Sequence, residues 1–134
     1  MKVLVDTSVW SLALRRTSRS GNAGITSALG SLIEDGRVAI IGAIRQELLS
    51  GVKERAQLDR LRDYLRAFPD SVITTGDHED AAGFFNRCRE KGIQGSNTDF
   101  LICAVAARRG FAIFTADEDF SRFAKILPIA LHAR

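Results

Sequence analysis

The chain contains few of the residues that support disulfide, zinc or histidine-dependent chemistry. Among its 134 residues there are two cysteines, two histidines and two prolines. Cys88 and Cys103 do not form a CxxC pair, and both lie among apolar residues at helical spacing. That pattern predicts small buried thiols rather than a disulfide. His78 and His132 are too few for a zinc site, and neither stands beside a nucleophile as a hydrolase triad requires.

Long apolar segments and nucleotide-binding glycine motifs are also missing. No run approaches the ~18 apolar residues that a membrane span needs. The opening "MKVLVDTSVW" reaches an acid after a short apolar run, which is unlike a signal peptide. No GxxxxGK[ST] or GxGxxG motif follows an apolar segment, so a phosphate-binding loop is not expected. We therefore expect a cytoplasmic protein that does not contact membranes.

What the sequence does contain is a regular alternation of short apolar runs and amphipathic segments. The apolar runs predict strands at 2–5, 37–41, 71–75 and 111–117, with an edge strand within 127–134. Between them the spacing predicts helices, among them one capped by Ser8, one capped by Asp77 and one from Ser96 to Gly110. No repeat or Pro/Gly linker divides the chain. We expect a single α/β domain over residues 1–134 with a mostly parallel sheet of four or five strands.

Four acids stand near the ends of these predicted elements. Asp6 ends the first strand, Asp117 follows the strand "AIFT", Glu47 lies on a short helix after "VAII", and Asp99 lies in a first helical turn. Ligands of parallel sheets bind outside the carboxyl ends of the strands. Four carboxylates gathered there would repel one another, and a hard divalent cation such as Mg²⁺ would remove that repulsion. The set fits metal-dependent hydrolysis of a phosphodiester.

Each acid taken alone has a simpler explanation. Asp6 and Asp117 can cap the helices that follow them, and Glu47 can be a solvated helix residue. Asp99 completes a capping box with Ser96. The functional interpretation therefore depends on the four acids as a set.

The charge of the chain is compatible with a nucleic-acid partner. The formal net charge is +3 at pH 7. If several carboxylates neutralise bound cations, the rest of the surface is more basic and suits a polyanion. A merely soluble basic protein explains the charge equally well.

In motif content and order the chain resembles the PIN-domain family, and within it the VapC-type toxin ribonucleases. The resemblance rests on four segments in order along nearly the whole chain: "VLVDTSVW", "QELLSG", "TDFLICAVAARRG" and "FTADEDFSRF". It implies a three-layer α/β/α fold and an endoribonuclease that uses Mg²⁺, with Mn²⁺ as a possible substitute. Such a toxin would act on RNA, form a homodimer and be neutralised by a VapB-type antitoxin.

The resemblance also implies roles for individual residues. Asp6, Glu47, Asp99 and Asp117 are the implied catalytic acids, and the metal ligands among them are Asp6, Asp99 and Asp117. The implied supporting residues are Thr7, Ser8, Thr115 and Asp119. Candidate RNA-binding cations are Arg15, Arg16 and Arg45. Trp10, Leu12, Leu14 and the helix "LDRLRDYLRAF" are candidate partner surfaces, with core packing as the alternative.

Two other functions remain open from the sequence. A PIN-type nuclease can act in RNA processing without a toxin role. A non-catalytic basic binding module would tolerate amide substitutions at all four acids.

Overall fold

The sheet is short, parallel and centred on the first strand. The computed structural model describes residues 1–14 and 23–133. Strand β1 (Val3–Val5) lies between β2 (Val38–Ala39) and β3 (Ala112–Phe114), and both pairings are parallel. Leu4 pairs with Ala39 on one side and Ile113 on the other. Because β1 is central and its three residues are buried, its carboxyl end delivers Asp6 to the middle of the sheet edge.

Single bridges extend the sheet on both sides. Ile40 bridges Asp70 and Ile113 bridges Leu131, both in parallel orientation. The described residues thus show three strands and two bridges where four or five strands were predicted. The strand predicted at 71–75 does not form, since Val72 is exposed and Thr74 already caps a helix. At the predicted edge strand, the described residues 127–133 form one bridge, at Leu131.

Seven helices complete the described fold. They are α1 (Thr7–Leu14), α2 (Ala23–Glu34), α3 (Gly42–Leu49), α4 (Arg55–Leu65), α5 (Thr75–Glu90), α6 (Asn97–Arg109) and α7 (Asp119–Ala124). Helix α1 contacts α2 and α3, α3 contacts α4, and α5 packs along α6, which also contacts β3. The α/β class and the parallel sheet are confirmed.

Helix α6 crosses the core. Its residues 100–106 are all buried, because the segment "FLICAVA" is apolar on every face. Its two ends are fixed by a Ser96 cap and by Gly110 in the left-handed conformation, as predicted. Cys88 and Cys103 are buried free thiols, also as predicted. Asp99 is therefore held at the first turn of the most deeply buried helix.

Two local predictions are wrong. Asp77 does not cap α5; Thr74 does, and Asp77 lies three residues later as the reciprocal partner in a capping box. Trp10 is fully buried and packs edge-on against Phe68 at 5.3 Å between ring centroids, so it belongs to the core and not to an exposed partner surface. Within the described part of the chain, no helix is long and apolar enough to cross a membrane.

Candidate active site

Asp6 lies where β1 turns into α1. Its backbone N–H still belongs to the sheet and donates to the Phe114 carbonyl at 2.9 Å, while its own carbonyl accepts from Trp10 and begins the helix. The residue is 5 % exposed, and its carboxylate Oδ2 accepts hydrogen bonds from Ser8 Oγ at 2.7 Å and Thr115 Oγ1 at 2.9 Å. Side-chain hydroxyls therefore hold this buried carboxylate in place. Ser8, predicted as a helix cap, serves the acid instead.

The same hydroxyls tie Asp6 to the turn after β3. Ser8 Oγ accepts from the Ala116 N–H at 3.0 Å, and Thr115 Oγ1 accepts from the Asp117 N–H at 2.9 Å. Asp117 Oδ1 in turn accepts from the Asp119 N–H at 2.9 Å at the start of α7. This chain of hydrogen bonds connects Asp6 and Asp117 although they are far apart in sequence.

Asp99 is electrostatically coupled to the other two aspartates. Its backbone and carboxylate form the predicted capping box with Ser96, at 3.1 and 3.0 Å. Burial raises the pKa of Asp99 above its ordinary value, the two Ser96 hydrogen bonds oppose that rise, and the negative charges of Asp6 and Asp117 raise the pKa further. Asp99 therefore caps α6 and also interacts with the other acids. Its capping role does not exclude a role in the candidate active site.

Glu47 is the exposed member of the four predicted acids. Its side chain belongs to an exposed residue of α3, and its Oε1 accepts from Thr7 Oγ1 at 2.6 Å. A cavity of about 520 Å³ opens beside it between α1, α3 and the start of α6. Its lining residues are Thr7, Ala43, Gln46, Glu47, Ser50 and Thr98. Glu47 is the acid that lines the cavity, and Thr7 and Thr98 are the sequence neighbours of Asp6 and Asp99.

Each of the four carboxylates is anchored through one oxygen. The anchored atoms are Asp6 Oδ2, Glu47 Oε1, Asp99 Oδ2 and Asp117 Oδ1. Among residues 1–14 and 23–133, no group of three or more His, Cys, Asp or Glu side chains is placed so that it could hold one metal ion. Mg²⁺ does not require such a cage, because it is usually held by one or two carboxylates and keeps several waters. Carboxylate oxygens are the hard donors that Mg²⁺ prefers, and the cation would neutralise the negative charge that these acids share.

The remaining predicted residues divide into three groups. Asp119 forms an ion pair with Arg122 within α7. Arg45 uses all three guanidinium nitrogens on Asp70 and on the carbonyls of Leu65 and Phe68. That arrangement gives Arg45 a structural role at the end of α4. Arg15 and Arg16, with the loop predicted around them, lie outside the described residues.

Sequence reasoning missed two neighbours of the acids. Thr98 lines the cavity beside Asp99. Cys103 follows Asp99 by one turn of α6, and burial raises the pKa of its thiol, with the charges of Asp99 and Asp6 adding to the effect. The i, i+4 spacing of Asp99 and Cys103 was the available signal. The thiol stays protonated, so it forms an uncharged wall behind the acids.

Comparison with known proteins identifies the family. The family model described as PIN domain matches residues 3–126. The chain belongs to the PIN domain family. Two curated relatives of this PIN domain are VapC ribonuclease Mb1587 from Mycobacterium bovis and Ribonuclease VapC11 from Mycobacterium tuberculosis. Each is 31% identical over 126 residues, which cover 92% of this chain and 92% of the relative.

Solved structures show the same fold. VapBC2 from Rickettsia felis, in a complex with a promoter DNA fragment, matches with a TM-score of 0.78 at 18% identity over 98% of each chain. FitAcB from Neisseria gonorrhoeae matches with a TM-score of 0.75 at 18% identity over 97% of this chain and 96% of that one. VapBC-5 from Mycobacterium tuberculosis matches with a TM-score of 0.71 at 21% identity over 99% and 98%. The PIN fold expected from the motifs is thereby confirmed.

Proposed function

We propose that this PIN domain is a metal-dependent endoribonuclease that hydrolyses RNA at Asp6, Glu47, Asp99 and Asp117. The observation that carries the proposal is the chain of hydrogen bonds that joins Asp6, through Ser8 and Thr115, to the turn that carries Asp117. The charges of Asp6 and Asp117 also add to the rise that burial causes in the pKa of Asp99. Acids brought together in this way are candidates for a functional site. The ribonuclease names of relatives at 31% identity support the same reaction.

Asp6, Asp99 and Asp117 are the proposed ligands of Mg²⁺, for which Mn²⁺ could substitute. Each is fixed through one oxygen and can offer the other to a cation. When bound, the cation would neutralise charge on the scissile phosphate and lower the pKa of a bound water. Ser8 and Thr115 keep the Asp6 carboxylate oriented, and Thr7 does the same for Glu47.

Glu47 is the proposed orienting group for the attacking water, since it is the most exposed of the four acids and lines the open cavity. The water oxygen forms the new bond to phosphorus as the bond to the 3′-oxygen breaks. The 3′-oxygen takes up a proton, which leaves a 5′-phosphate and a 3′-hydroxyl. In-line attack requires the water oxygen and the leaving 3′-oxygen to lie on opposite sides of the phosphorus.

The biological role we propose is that of a toxin paired with a VapB-type antitoxin, acting in the cytoplasm as a homodimer. The named relatives are VapC ribonucleases, and the solved VapBC structures are of toxin–antitoxin complexes. A cavity of about 460 Å³ between the end of α1 and α4 is the candidate antitoxin seat. Leu14 and Tyr64 line it and are 39% and 45% exposed. Partly exposed apolar side chains of this kind fit an apolar partner segment.

The test is RNA cleavage by Asp6→Asn. The amide oxygen can still accept from Ser8 and Thr115, so we expect the circular dichroism spectrum to match that of the parent. Cleavage in Mg²⁺ should fall on the order of 100-fold or more. Asp35→Asn removes an exposed acid elsewhere and should leave the rate unchanged. Equal cleavage by Asp6→Asn and the parent would contradict the site assignment. Cleavage that survives EDTA would favour a metal-independent reaction, and RNA binding without cleavage would favour a non-catalytic role.

A further inference from the structure

A second cavity adjoins the candidate active site. It lies between α5 and the start of α6 and has a volume of about 480 Å³. Its lining residues are His78, Ala81, Ala82, Phe85, Asn86, Asn97, Thr98 and Leu101. Thr98 also lines the cavity that contains Glu47, so the two cavities meet at that residue. A polymer bound at the carboxylates could therefore continue directly into the second cavity.

The path continues past Phe85. A smaller cavity of about 150 Å³ shares Phe85 and is lined as well by Arg89, Gln94 and Phe100. Three cavities that share lining residues thus lead from Glu47 to Arg89 on α5. A strand could occupy several of them, whereas a single small molecule would need only one.

The α5 side of this path carries no acid. The residues that line it recur at helical spacing: His78, Ala81, Ala82, Phe85, Asn86 and Arg89. Helix α5 has four acids, Asp77, Glu79, Asp80 and Glu90, and all four fall outside that stripe. A polyanion could follow the stripe without meeting a carboxylate, and Arg89 would attract it at the far end.

The chemistry of the second cavity suits a base better than a phosphate. Ala81, Phe85 and Leu101 supply apolar surface, and Phe85 is fixed edge-on by the buried Phe100 ring at 5.5 Å between centroids. Two amides, Asn86 and Asn97, supply paired donors and acceptors like those of a base edge. The Asn86 amide is oriented by a hydrogen bond from Arg89 at 3.4 Å, and Arg89 also lies over the Phe85 ring at 5.7 Å.

We propose that the α5–α6 cavity binds one unpaired base of the RNA substrate, next to the phosphate that is cleaved. Asn86 and Asn97 read the edge of the base, and Phe85 with its alanine neighbours packs against it. Arg89 contacts the backbone phosphate beyond. The proposal rests on the proposed ribonuclease function and adds to it the element that selects the cleavage position. Proteins that read single-stranded RNA commonly combine amide contacts to base edges with apolar or aromatic packing.

Cleavage of a randomised RNA pool tests whether Asn86 and Asn97 select one base beside the cleaved bond. Sequencing the cut ends should show that the parent prefers one base at a position beside the cut. Asn86→Ala and Asn97→Ala should each reduce that preference by about tenfold, the scale of one lost base contact. Ser31→Ala, which removes an exposed polar side chain from α2, is the control and should leave the preference unchanged.

Binding tests the subsite separately from catalysis. In the full chain carrying Asp6→Asn, we would measure the anisotropy of a short labelled RNA while an abasic nucleotide is moved along it. One abasic position should weaken binding about tenfold. Adding Asn86→Ala should make binding indifferent to that position. A parent that does not cleave RNA refutes the proposed function, whereas binding that ignores every abasic position refutes the subsite.

A second copy of the chain is the competing occupant of this face. If Asn86→Ala and Asn97→Ala shift the monomer–dimer equilibrium in sedimentation while base preference and abasic discrimination stay as in the parent, the face is a subunit contact. That result would overturn the proposal.

Discussion

The ion pair between Asp77 and Arg108 allows a quantitative test of how α6 is anchored. Arg108 comes from the last turn of α6, and its Nε and Nη2 donate to Asp77 Oδ1 and Oδ2 at 2.6 and 2.9 Å. A further bond of 3.1 Å reaches the Val72 carbonyl. Asp77 is fully buried near the start of α5. The pair therefore joins the start of α5 to the end of the helix that carries Asp99. Arg108→Met removes all three bonds and keeps most of the aliphatic length.

The expected loss of stability follows from these contacts. Breaking a fully buried ion pair costs about 3–5 kcal/mol, because an unpaired charge is left inside. The Arg108 side chain is 38% exposed, so water already screens part of the interaction, and Asp77 keeps its hydrogen bonds to Thr74. We therefore expect a loss below that range, seen as a fall in Tm of about 5 °C for a domain of this size.

The pKa of Asp77 determines the pH range in which Arg108→Met should lose stability. The Arg108 hydrogen bond lowers the pKa of Asp77 against the opposing effect of burial, and contacts with Thr74 lower it further. A carboxyl whose pKa is lower in the folded state stabilises the fold above its unfolded pKa, about 3.9, and that stabilisation is lost as the pH falls through the folded value. The difference between Arg108→Met and the parent should thus be full at pH 7 and shrink in acid below about pH 4.

Urea denaturation followed by circular dichroism at several pH values measures this difference. Arg109→Met is the matched control, because Arg109 lies over the Phe111 ring at 5.2 Å and should cost about 1 kcal/mol or less. The reasoning is refuted if the two variants lose equal stability at pH 7, or if the loss in Arg108→Met is the same at every pH.

Two further predictions concern the start of α6. Asp99→Asn should stabilise the metal-free protein by about 0.5–1 kcal/mol at pH 7 and abolish cleavage, because it removes a charge that burial and neighbouring acids disfavour. Since the pKa of Asp99 is raised by folding, the gain in calorimetry should disappear below about pH 4, where the parent is also neutral. Gly95→Ala should cost about 1–3 kcal/mol in thermal unfolding, because a Cβ there would lie 2.6 Å from the buried Phe123 ring and 3.0 Å from Phe100.

Each of these two predictions has its own contradicting result. If Asp99→Asn lowers the stability of the metal-free protein at pH 7, the capping interaction outweighs the repulsion among the acids. An unchanged Tm for Gly95→Ala would mean that the two phenylalanine rings shift freely, so the loop before Ser96 is not held by them.

Local patterns were sufficient to predict the elements that position the acids. The apolar run of β1, the Ser96–Asp99 capping box and the Gly110 stop each depend on residues close in sequence, and each is observed. A strand was wrongly predicted at 71–75 because "SVITT" is rich in β-branched residues, which favour strands. The capping box of Thr74 with Asp77 prevailed there, since it satisfies two backbone donors at the start of α5.

Contacts between distant segments were beyond the reach of the sequence. Arg45 was a candidate RNA contact because it lies near Glu47 in sequence, yet its guanidinium faces the end of α4 and Asp70. The pairing of Asp77 with Arg108 has no local signature either. Hydroxyl groups beside Asp6 were implied by the family motifs, but their hydrogen bonds to the turn after β3 join segments that are more than 100 residues apart and have no local sequence signal.

A crystal soaked in Mn²⁺ and measured at the manganese absorption edge tests the central claim most directly. The account predicts one anomalous peak within coordination distance of carboxylate oxygens from both Asp6 and Asp99, with Asp117 bound directly or through water. A peak that contacts only one of these residues, or that lies on another surface, would contradict the claim that the acids act as one site.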